Sequence, residues 1–333
     1  MLSFTLSKAN DVAGAVNEVT SKKEANFIAG GTNLLDLMKI DVMTPRHLVD
    51  ITQLALKTID GNEAGGLRLG ALATNAETAY HNEVEKRYPV LSHAILAGAS
   101  AQLRNMATDG GNLMQRTRCY YFYDLATPCN KREPGSGCSA INGFNRIHAI
   151  LGQSEACIAT HPSDMCVALA ALDAKVNVTG KNGDRTIPFL EFHRLPGDKP
   201  ELDNNLQPDE IITSIDLPAN GFADNFAYIK VRDRASYAFA LVSVAAALEM
   251  EGDTIKEARL ALGGVAHKPW RKPEAEANLK DQKATKGNFQ KIAEAYLEGA
   301  KGYEHNSFKI ELAKRAIVRA LSQAAHLEEK EQA

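Results

Sequence analysis

The sequence has no apolar run approaching the roughly 18 residues that a membrane-spanning helix requires. Its formal net charge of -3 over 333 residues gives no electrostatic basis for binding nucleic acid. The stretch MLSFTLSKANDVAGAV lacks a basic region followed by an apolar core and a small-residue cleavage site, so we expect no secretory signal in this chain. With 44% hydrophobic and 24% charged residues, the chain can bury sizeable cores, which agrees with an enzyme subunit, and its length suggests two or three domains.

Three cofactor and metal motifs are also absent. The chain contains no G-x-G-x-x-G segment of the kind that opens a Rossmann dinucleotide site. It has no C-x4-C-x2-C pattern of a ferredoxin-like [2Fe-2S] centre. It also has none of the close C-x2-4-C pairs that structural zinc sites usually contain. These patterns therefore give no sign of such sites.

Four of the five cysteines nevertheless fall in one segment, residues 107–165, and they are Cys119, Cys129, Cys138 and Cys157. Pro, Gly, Asn and Ser are too frequent there for one regular element, so something other than a packed core must hold the segment. Four thiolates on one iron-sulfur cluster would restrain loops of nine, eight and eighteen residues and offset their conformational entropy. The clustering therefore favours an iron-sulfur site.

Other interpretations of these cysteines remain open. His148 and His161 are available as further zinc ligands, disulfides would need an oxidising compartment, and isolated cysteines are often buried as small hydrophobes. Cys166 lies on the apolar face of the helix that follows HPSDM, and we interpret it as a core residue. A ligand set with Cys166 in place of Cys157 would keep the same type of site.

The N-terminal part reads as an α/β unit that contains a glycine turn. SKANDVAGAVNEVTS and NLLDLMKI predict helices, and ANFIAGGTN and RHLVDIT predict strands. Gly30 and Gly31 permit a tight turn, after which the N–H groups of Thr32 and Asn33 can point at an anion. The pattern predicts a phosphate cradle, although an ordinary tight turn has the same signature.

A second glycine site strengthens the phosphate interpretation. The segment LRNMATDGGNLMQ contains Thr108, Gly110, Gly111 and Asn112, which are small or hydrogen-bonding residues where a backbone can approach a ligand closely. Two such cradles suit a pyrophosphate. Between them, LRLGALAT predicts a strand that leads into a helix begun by Thr74, and RYPVLSHAILAGA predicts a largely buried helix.

Four segments in this order resemble one known family: FIAGGTNLLDLMK, TDGGNLMQRTRCYYFYD, HPSDMCVAL and YIKVRDRASYAFALVSVAAAL, continued by GGVAHKPWR. They are similar to the FAD-binding medium subunits of molybdenum hydroxylases, related to the xanthine dehydrogenase and carbon monoxide dehydrogenase flavoproteins. The cysteine-bearing segment narrows the resemblance to the FAD and iron-sulfur subunits of bacterial aldehyde oxidoreductases, which carry a 4Fe-4S cluster there. The medium subunits of 4-hydroxybenzoyl-CoA reductases have a comparable cluster.

The resemblance implies an α+β fold made of a two-subdomain, PCMH-type FAD-binding region. A C-terminal α+β domain like that of the carbon monoxide dehydrogenase flavoproteins follows, and an iron-sulfur loop is inserted. We place the first FAD-binding subdomain at residues 1–60 and the second at 61–222, with the cluster-binding insertion at 113–160. The C-terminal domain is placed at 223–333, where strand-like runs precede helical ones.

The resemblance also implies cofactor contacts, residue by residue. The first FAD loop, around the pyrophosphate, corresponds to Ala29, Gly30, Gly31, Thr32, Asn33, Leu34, Leu35 and Asp36, and the second to Thr108, Gly111 and Asn112. The resemblance also places Asp164 near the cofactor, Lys230 within reach of the flavin of FAD, and Ile215 beside the flavin. Cys119, Cys129, Cys138 and Cys157 are the implied cluster ligands.

Each of the last three FAD contacts also has a structural interpretation. Asp164 is well placed in the first turn of the helix DMCVALAAL, with Ser163 as its cap. Lys230 would be a solvated lysine on a strand, and Ile215 a core residue of the alternating strand IITSIDL. No histidine lies close to Gly30, so we expect FAD to be held without a covalent bond.

The family resemblance implies an oxidoreductase subunit with FAD and a 4Fe-4S cluster as cofactors. Because the chain has no molybdenum-site or ferredoxin-like pattern, substrate oxidation would occur on partners, a molybdenum-cofactor large subunit and a 2Fe-2S small subunit in a heterotrimer. FAD would pass electrons to an external acceptor. The alternatives are a 4-hydroxybenzoyl-CoA reductase-like medium subunit and a non-redox, metal-braced scaffold subunit. Assembly in the cytoplasm is expected, with export to the periplasm open to a complex whose partner carries a signal.

Overall fold

Three β-sheets follow one another along the chain in the computed structural model, which describes residues 1–327. The last six residues of the predicted C-terminal domain lie outside the described residues. The first sheet is parallel, in the order β1-β3-β2. Its elements are β1 (Thr5–Lys8), α1 (Val12–Ser21), β2 (Ala25–Ile28), α2 (Leu34–Lys39) and β3 (His47–Asp50). The predicted α/β unit is therefore confirmed, with α1 begun by an Asp11 cap on the Gly14 N–H.

The second sheet is antiparallel and has five strands in the order β4-β5-β8-β6-β7. Its strands are β4 (Ile59–Gly61), β5 (Leu67–Gly70), β6 (Lys175–Gly180), β7 (Gly183–Pro188) and β8 (Ile211–Asp216). The helices of this part are α3 (Asn75–Ala79), α4 (Asn82–Arg87), α5 (Pro89–Ala97), α6 (Ala101–Arg104), α7 (Asp109–Leu113), α8 (Tyr120–Tyr123), α9 (Asp164–Ala171) and α10 (Phe189–Phe192). The boundary proposed after residue 60 falls inside β4, which pairs with β5 and so lies in this sheet.

The third sheet is antiparallel, in the order β11-β10-β9. Its elements are β9 (Phe226–Val231), β10 (Val242–Glu251), β11 (Thr254–Gly263), α11 (Pro273–Glu276), a 3-10 turn (Ala277–Leu279), α12 (Lys286–Leu297) and α13 (Phe308–Ala324). Successive side chains of a strand face opposite sides of the sheet, and both sides of β10 are buried. Ala245 and Ala247 join the core that the second sheet forms with its helices, called here the core of the second part. Val244 and Ala246 join the core formed with α12 and α13. The sheet thereby packs between α9 on one side and α13 on the other.

Within the cysteine-bearing segment, residues 114–163 contain a single short helix, α8, among turns. The segment forms a small core of its own that includes Phe122, Ala140 and Ile158, and Leu37 of α2 packs into that core. The C-terminal part also holds the segment, because the N–H groups of Ile150 and Leu151 both donate to the carbonyl of Val265. In the part of the chain that the structure describes, no helix is long and apolar enough to cross a bilayer.

Candidate functional site

The first glycine turn connects β2 to α2. Gly31 has a φ of +69°, a left-handed conformation that favours glycine. A Cβ on Gly30 would lie 1.9 Å from the carbonyl oxygen of Met106, so only glycine allows the two backbones to approach this closely. Among the described residues, the N–H groups of Thr32 and Asn33 have no protein acceptor, and donors of this kind suit a phosphate oxygen.

The second glycine turn lies directly beside the first, because Met106 precedes it by two residues. Thr108 caps α7 by accepting a hydrogen bond from the Gly111 N–H at 3.2 Å. Gly110 donates to the carbonyl of Ala71 at 2.8 Å, which fixes α7 against the second sheet. The structure thus brings together the two cradles that were predicted separately.

Asn112 is the centre of a polar network at the end of the second cradle. Its Nδ2 donates to Asn75 Oδ1 at 2.6 Å, and its Oδ1 accepts from Ser163 Oγ at 2.6 Å. Asn75 Nδ2 in turn donates to the carboxyl group of Asp109 at 2.7 Å, as does Thr78 Oγ1 at 2.5 Å. Burial raises the pKa of Asp109 to about 7. Sequence reasoning missed Asn75 and Asp109, since neither has a distinctive local motif.

Asp164 and Lys230 form a buried ion pair between α9 and β9. Lys230 Nζ lies 2.8 Å from Asp164 Oδ2, with both side chains under a tenth exposed. Tyr228 donates to the other oxygen, Oδ1, at 2.6 Å. Burial and the Asp164 charge raise the pKa of Tyr228 well above its usual value. Asp164 also begins α9 under the Ser163 cap, but the interpretation of Lys230 as a solvated lysine is wrong.

Two neighbouring cavities, of about 430 and 810 Å³, meet at Thr32. Twelve of the fourteen proposed cofactor residues line one of these cavities, and Thr32 lines both. The smaller cavity is lined by Ala29, Gly30, Gly31, Thr32, Asn33, Leu34, Thr108 and Gly111. The larger cavity is lined by Thr32, Asp36, Asn112, Asp164 and Lys230. Leu35 instead packs over Gly31. Ile215 is fully buried in the core of the second part and lines neither cavity, which agrees with the core interpretation, and its place beside a flavin stays a prediction.

The four clustered cysteines line one small cavity together with Phe122 and Ala140. Cys129 and Cys138 face each other in an isolated antiparallel bridge, and His148 Nε2 lies 3.0 Å from Cys119 Sγ. Burial raises the pKa of Cys119 to about 12 and that of Cys157 to about 11. All five cysteines are free, so the disulfide alternative has no pair in the structure.

The spacing of these sulfurs bears on the kind of metal site. In the described part of the chain, the one group of three or more His, Cys or acidic ligand atoms lying within 4.8 Å of one another is His161, Cys166 and His193. No three of the four clustered sulfurs are therefore that close, whereas a zinc ion with sulfur ligands at about 2.3 Å requires them to be. A cluster of several irons holds its thiolate ligands farther apart than a single zinc ion does.

His161 does not join the four cysteines. Its ring contacts that of His193, with the centroids 4.2 Å apart and the planes tilted by 48°, and burial together with His193 holds the pKa of His161 well below its usual value. Cys166 is fully buried in the core of the second part, as predicted. Of the two histidines considered as zinc ligands, only His148 contacts a clustered cysteine.

An ionic chain connects the cysteine cavity to the first cradle. Lys131 Nζ lies 2.6 Å from Asp203 Oδ1, and Arg116 Nε lies 2.7 Å from Asp203 Oδ2. Burial opposes ionisation of Asp203, but the charges of Lys131 and Arg116 outweigh it and hold the pKa of Asp203 below its usual range. The Arg116 N–H donates to Asn33 Oδ1 at 2.8 Å. None of Arg116, Lys131 and Asp203 was singled out from the sequence.

Comparison with known families accounts for nearly the whole chain. Residues 2–220 match the FAD binding domain in molybdopterin dehydrogenase. Residues 227–324 match the CO dehydrogenase flavoprotein C-terminal domain. The two matches confirm the predicted α+β fold, with its FAD-binding region followed by a flavoprotein C-terminal domain.

Individual relatives agree with this assignment. The chain is 50% identical over 325 residues to the aldehyde oxidoreductase FAD-binding subunit PaoB of Escherichia coli K12, across 97% of this chain and 99% of that protein. It is 25% identical over 291 residues to the glyceraldehyde dehydrogenase medium chain of Sulfolobus acidocaldarius, across 87% and 85% of the two chains. A solved carbon monoxide dehydrogenase chain of Hydrogenophaga pseudoflava is similar with a TM-score of 0.76 at 25% identity, covering 97% of each chain. The chain belongs to the FAD-binding medium subunits of the molybdenum hydroxylases, a family of oxidoreductases.

Proposed function

We propose that this chain is the FAD and 4Fe-4S electron-transfer subunit of a molybdenum-dependent aldehyde oxidoreductase. The observation that carries this proposal is the convergence of Cys119, Cys129, Cys138 and Cys157 on one cavity beside an FAD-binding cleft. An aldehyde-oxidising complex is favoured over a 4-hydroxybenzoyl-CoA reductase-like one by the 50% identity to an aldehyde oxidoreductase subunit.

FAD supplies the ability to collect single electrons and release them in pairs. The residues of the two cradles fit its pyrophosphate, because both turns present backbone where a Cβ would clash and Thr32 and Asn33 offer N–H donors. The Asp164–Lys230 pair lies in the wall of the larger cavity. There the ammonium group of Lys230 would hydrogen-bond the flavin or offset negative charge on its reduced form, while Asp164 keeps the lysine in place.

The cysteine cavity fits a cubane cluster better than a zinc ion. Cubane clusters are commonly held by four thiolates, and four cysteines line this cavity. In the described part of the chain, no three of the four sulfurs lie within 4.8 Å of one another, which favours a cluster of several irons over one ion. Hydrogen bonds to cluster sulfurs tune such centres, and His148 Nε2 is within reach of Cys119 Sγ.

The same proposal includes the partners of the chain. The large subunit would carry the molybdenum cofactor and oxidise the aldehyde, and the small subunit would carry 2Fe-2S centres. This chain would take electrons from those centres to FAD and then to an external acceptor. We place assembly of the heterotrimer in the cytoplasm, with export to the periplasm open to a complex whose partner bears a signal.

A matched pair of cysteine variants tests the proposal. Cys129→Ser removes a proposed ligand, whereas Cys166→Ala removes the one cysteine that lies in the core of the second part. In anaerobically purified complex, Cys129→Ser should lose iron while retaining FAD, and Cys166→Ala should retain both. Equal iron content in the two variants and the unmodified protein would overturn the cluster assignment.

A further inference from the structure

Lys309 is a buried lysine that donates hydrogen bonds to backbone carbonyl groups. Its side chain lies at the start of α13 and is fully buried. Its ammonium group donates to the carbonyl oxygen of His148 at 2.8 Å and to that of Gly264. In the described part of the chain, no carboxylate forms an ion pair with it. Burial, reinforced by the charge of Arg146, lowers the pKa of Lys309 to about 7. A negatively charged group nearby would favour the ammonium form and raise this pKa again.

A single residue, His148, lies between Lys309 and one of the clustered cysteines, Cys119. The carbonyl group of His148 holds Lys309, and the imidazole of the same histidine lies 3.0 Å from Cys119 Sγ. Asn306, also fully buried, donates to the same carbonyl at 3.2 Å. The segment that begins α13 is therefore built against the backbone of the cysteine segment, with its lysine directed at that backbone.

Lys131 is a second buried cation, on the wall of the cysteine cavity itself. It follows Cys129 by two residues, and its side chain is almost fully buried. Its only carboxylate partner among the described residues is Asp203, which also pairs with Arg116. Among the ion pairs of the described residues, these two cations thus share the single carboxylate of Asp203.

Buried charges are expensive unless an opposite charge compensates them. In the described part of the chain, no carboxylate pairs with Lys309, and Lys131 and Arg116 share the one carboxylate of Asp203. A cubane cluster held by four thiolates carries net negative charge, and that charge grows by one unit when the cluster accepts an electron. The buried lysines around the cysteine cavity match this anion.

We propose that Lys131 and Lys309 are positioning residues that supply the counter-charge of the cluster and raise its reduction potential. The inference rests on the proposed function, because it requires a cluster at the four cysteines. Its physical basis is Coulombic: a nearby cation stabilises the reduced cluster more than the oxidised one, because the reduced form is more negative. In a low-dielectric interior this difference is screened much less than at the surface.

The test is an EPR-monitored redox titration of the intact complex carrying Lys131→Met or Lys309→Met, with iron and FAD content measured on the same samples. Methionine keeps most of the aliphatic volume and removes the charge. Each variant should disfavour one-electron reduction of the cluster by about tenfold, which corresponds to a shift of about 59 mV to lower potential. The matched control is Lys314→Met, a surface lysine on the same helix that pairs with Glu294, and it should leave the potential unchanged.

The outcomes separate the two proposals. An unmodified complex without iron at these cysteines would remove the proposed cluster and this inference with it. A full iron complement in Lys131→Met and Lys309→Met with unchanged potentials would overturn the inference alone. If Lys309→Met folds but loses iron, Lys309→Arg decides between charge and packing. Iron recovered with arginine supports the counter-charge role, and iron still absent contradicts it.

Discussion

Lys230 Nζ lies 2.8 Å from Asp164 Oδ2 in the wall of the larger cavity, and the two side chains are 5% and 7% exposed. The pair connects α9, whose eight residues are all buried, to the first strand of the C-terminal sheet. A rigid core helix and a separate sheet thus jointly place one ammonium group at the proposed flavin position.

Replacing Lys230 by Met should reduce FAD retention and stability together. Removing one partner of a buried ion pair leaves the other charge uncompensated and destabilises by about 3–5 kcal/mol. We expect less FAD per chain after purification and a lower Tm, measured by flavin absorbance and thermal unfolding. Lys256→Met serves as the control, because this lysine is on the surface of β11. Normal FAD content and Tm in Lys230→Met would argue against the role of the pair.

Gly30→Ala should abolish FAD binding, because the added Cβ would lie 1.9 Å from Met106 O, a backbone atom. Relieving that clash would separate the two glycine turns. Gly287→Ala, in α12, is the matched control, since its Cβ would meet no atom within 4 Å. In a helix that change should stabilise by about 0.5–1 kcal/mol. Isothermal titration with FAD of apoprotein would measure both variants, and similar affinities would contradict the predicted close approach.

Asp109 should make stability fall as the pH rises from about 4 to about 7. Its pKa in the folded protein is raised to about 7 by burial, from an ordinary value of 3.8. Between pH 4 and pH 7, Asp109 is ionised in the unfolded chain and protonated in the folded protein. The contribution of Asp109 to the free energy of unfolding is therefore fully present below its unfolded pKa and is lost as the pH rises to its folded pKa. The full effect is about 4 kcal/mol.

Asp109→Asn removes this titration. The unfolding free energy of the unmodified protein, relative to that of Asp109→Asn, should therefore decline between pH 4 and pH 7 and level off above. Thermal or urea unfolding of both proteins at several pH values measures the difference. A difference that stays constant over this range would show that Asp109 is not held protonated in the folded protein.

Features with a local signature were predicted from the sequence. The two glycine turns and the Ser163 cap at the start of α9 each follow from residues within one or two turns of chain. The grouping of four cysteines was visible because they are clustered in the sequence as well as in space.

Features built from distant residues were not predicted. Lys131 and Asp203 are 72 positions apart in the sequence, and Lys309 and His148 are 161 positions apart. A lysine in a loop or near the start of a helix has no local pattern that indicates burial. The orientation of Ile215 was equally hidden in the sequence. This residue faces the core of the second part because an alternating strand has two faces, and the sequence does not show which face lines a cleft.

The most direct measurement of the central claim is the content of iron, acid-labile sulfide and flavin in the anaerobically purified, unmodified complex, with the absorption spectrum of the isolated chain. We expect about four irons and four sulfides at the cysteine cavity, in addition to those of the small subunit's 2Fe-2S centres, and about one FAD per chain, with broad iron-sulfur absorption beneath the flavin bands. Zinc, or no metal, in this chain would contradict the account and leave a plain FAD-binding subunit.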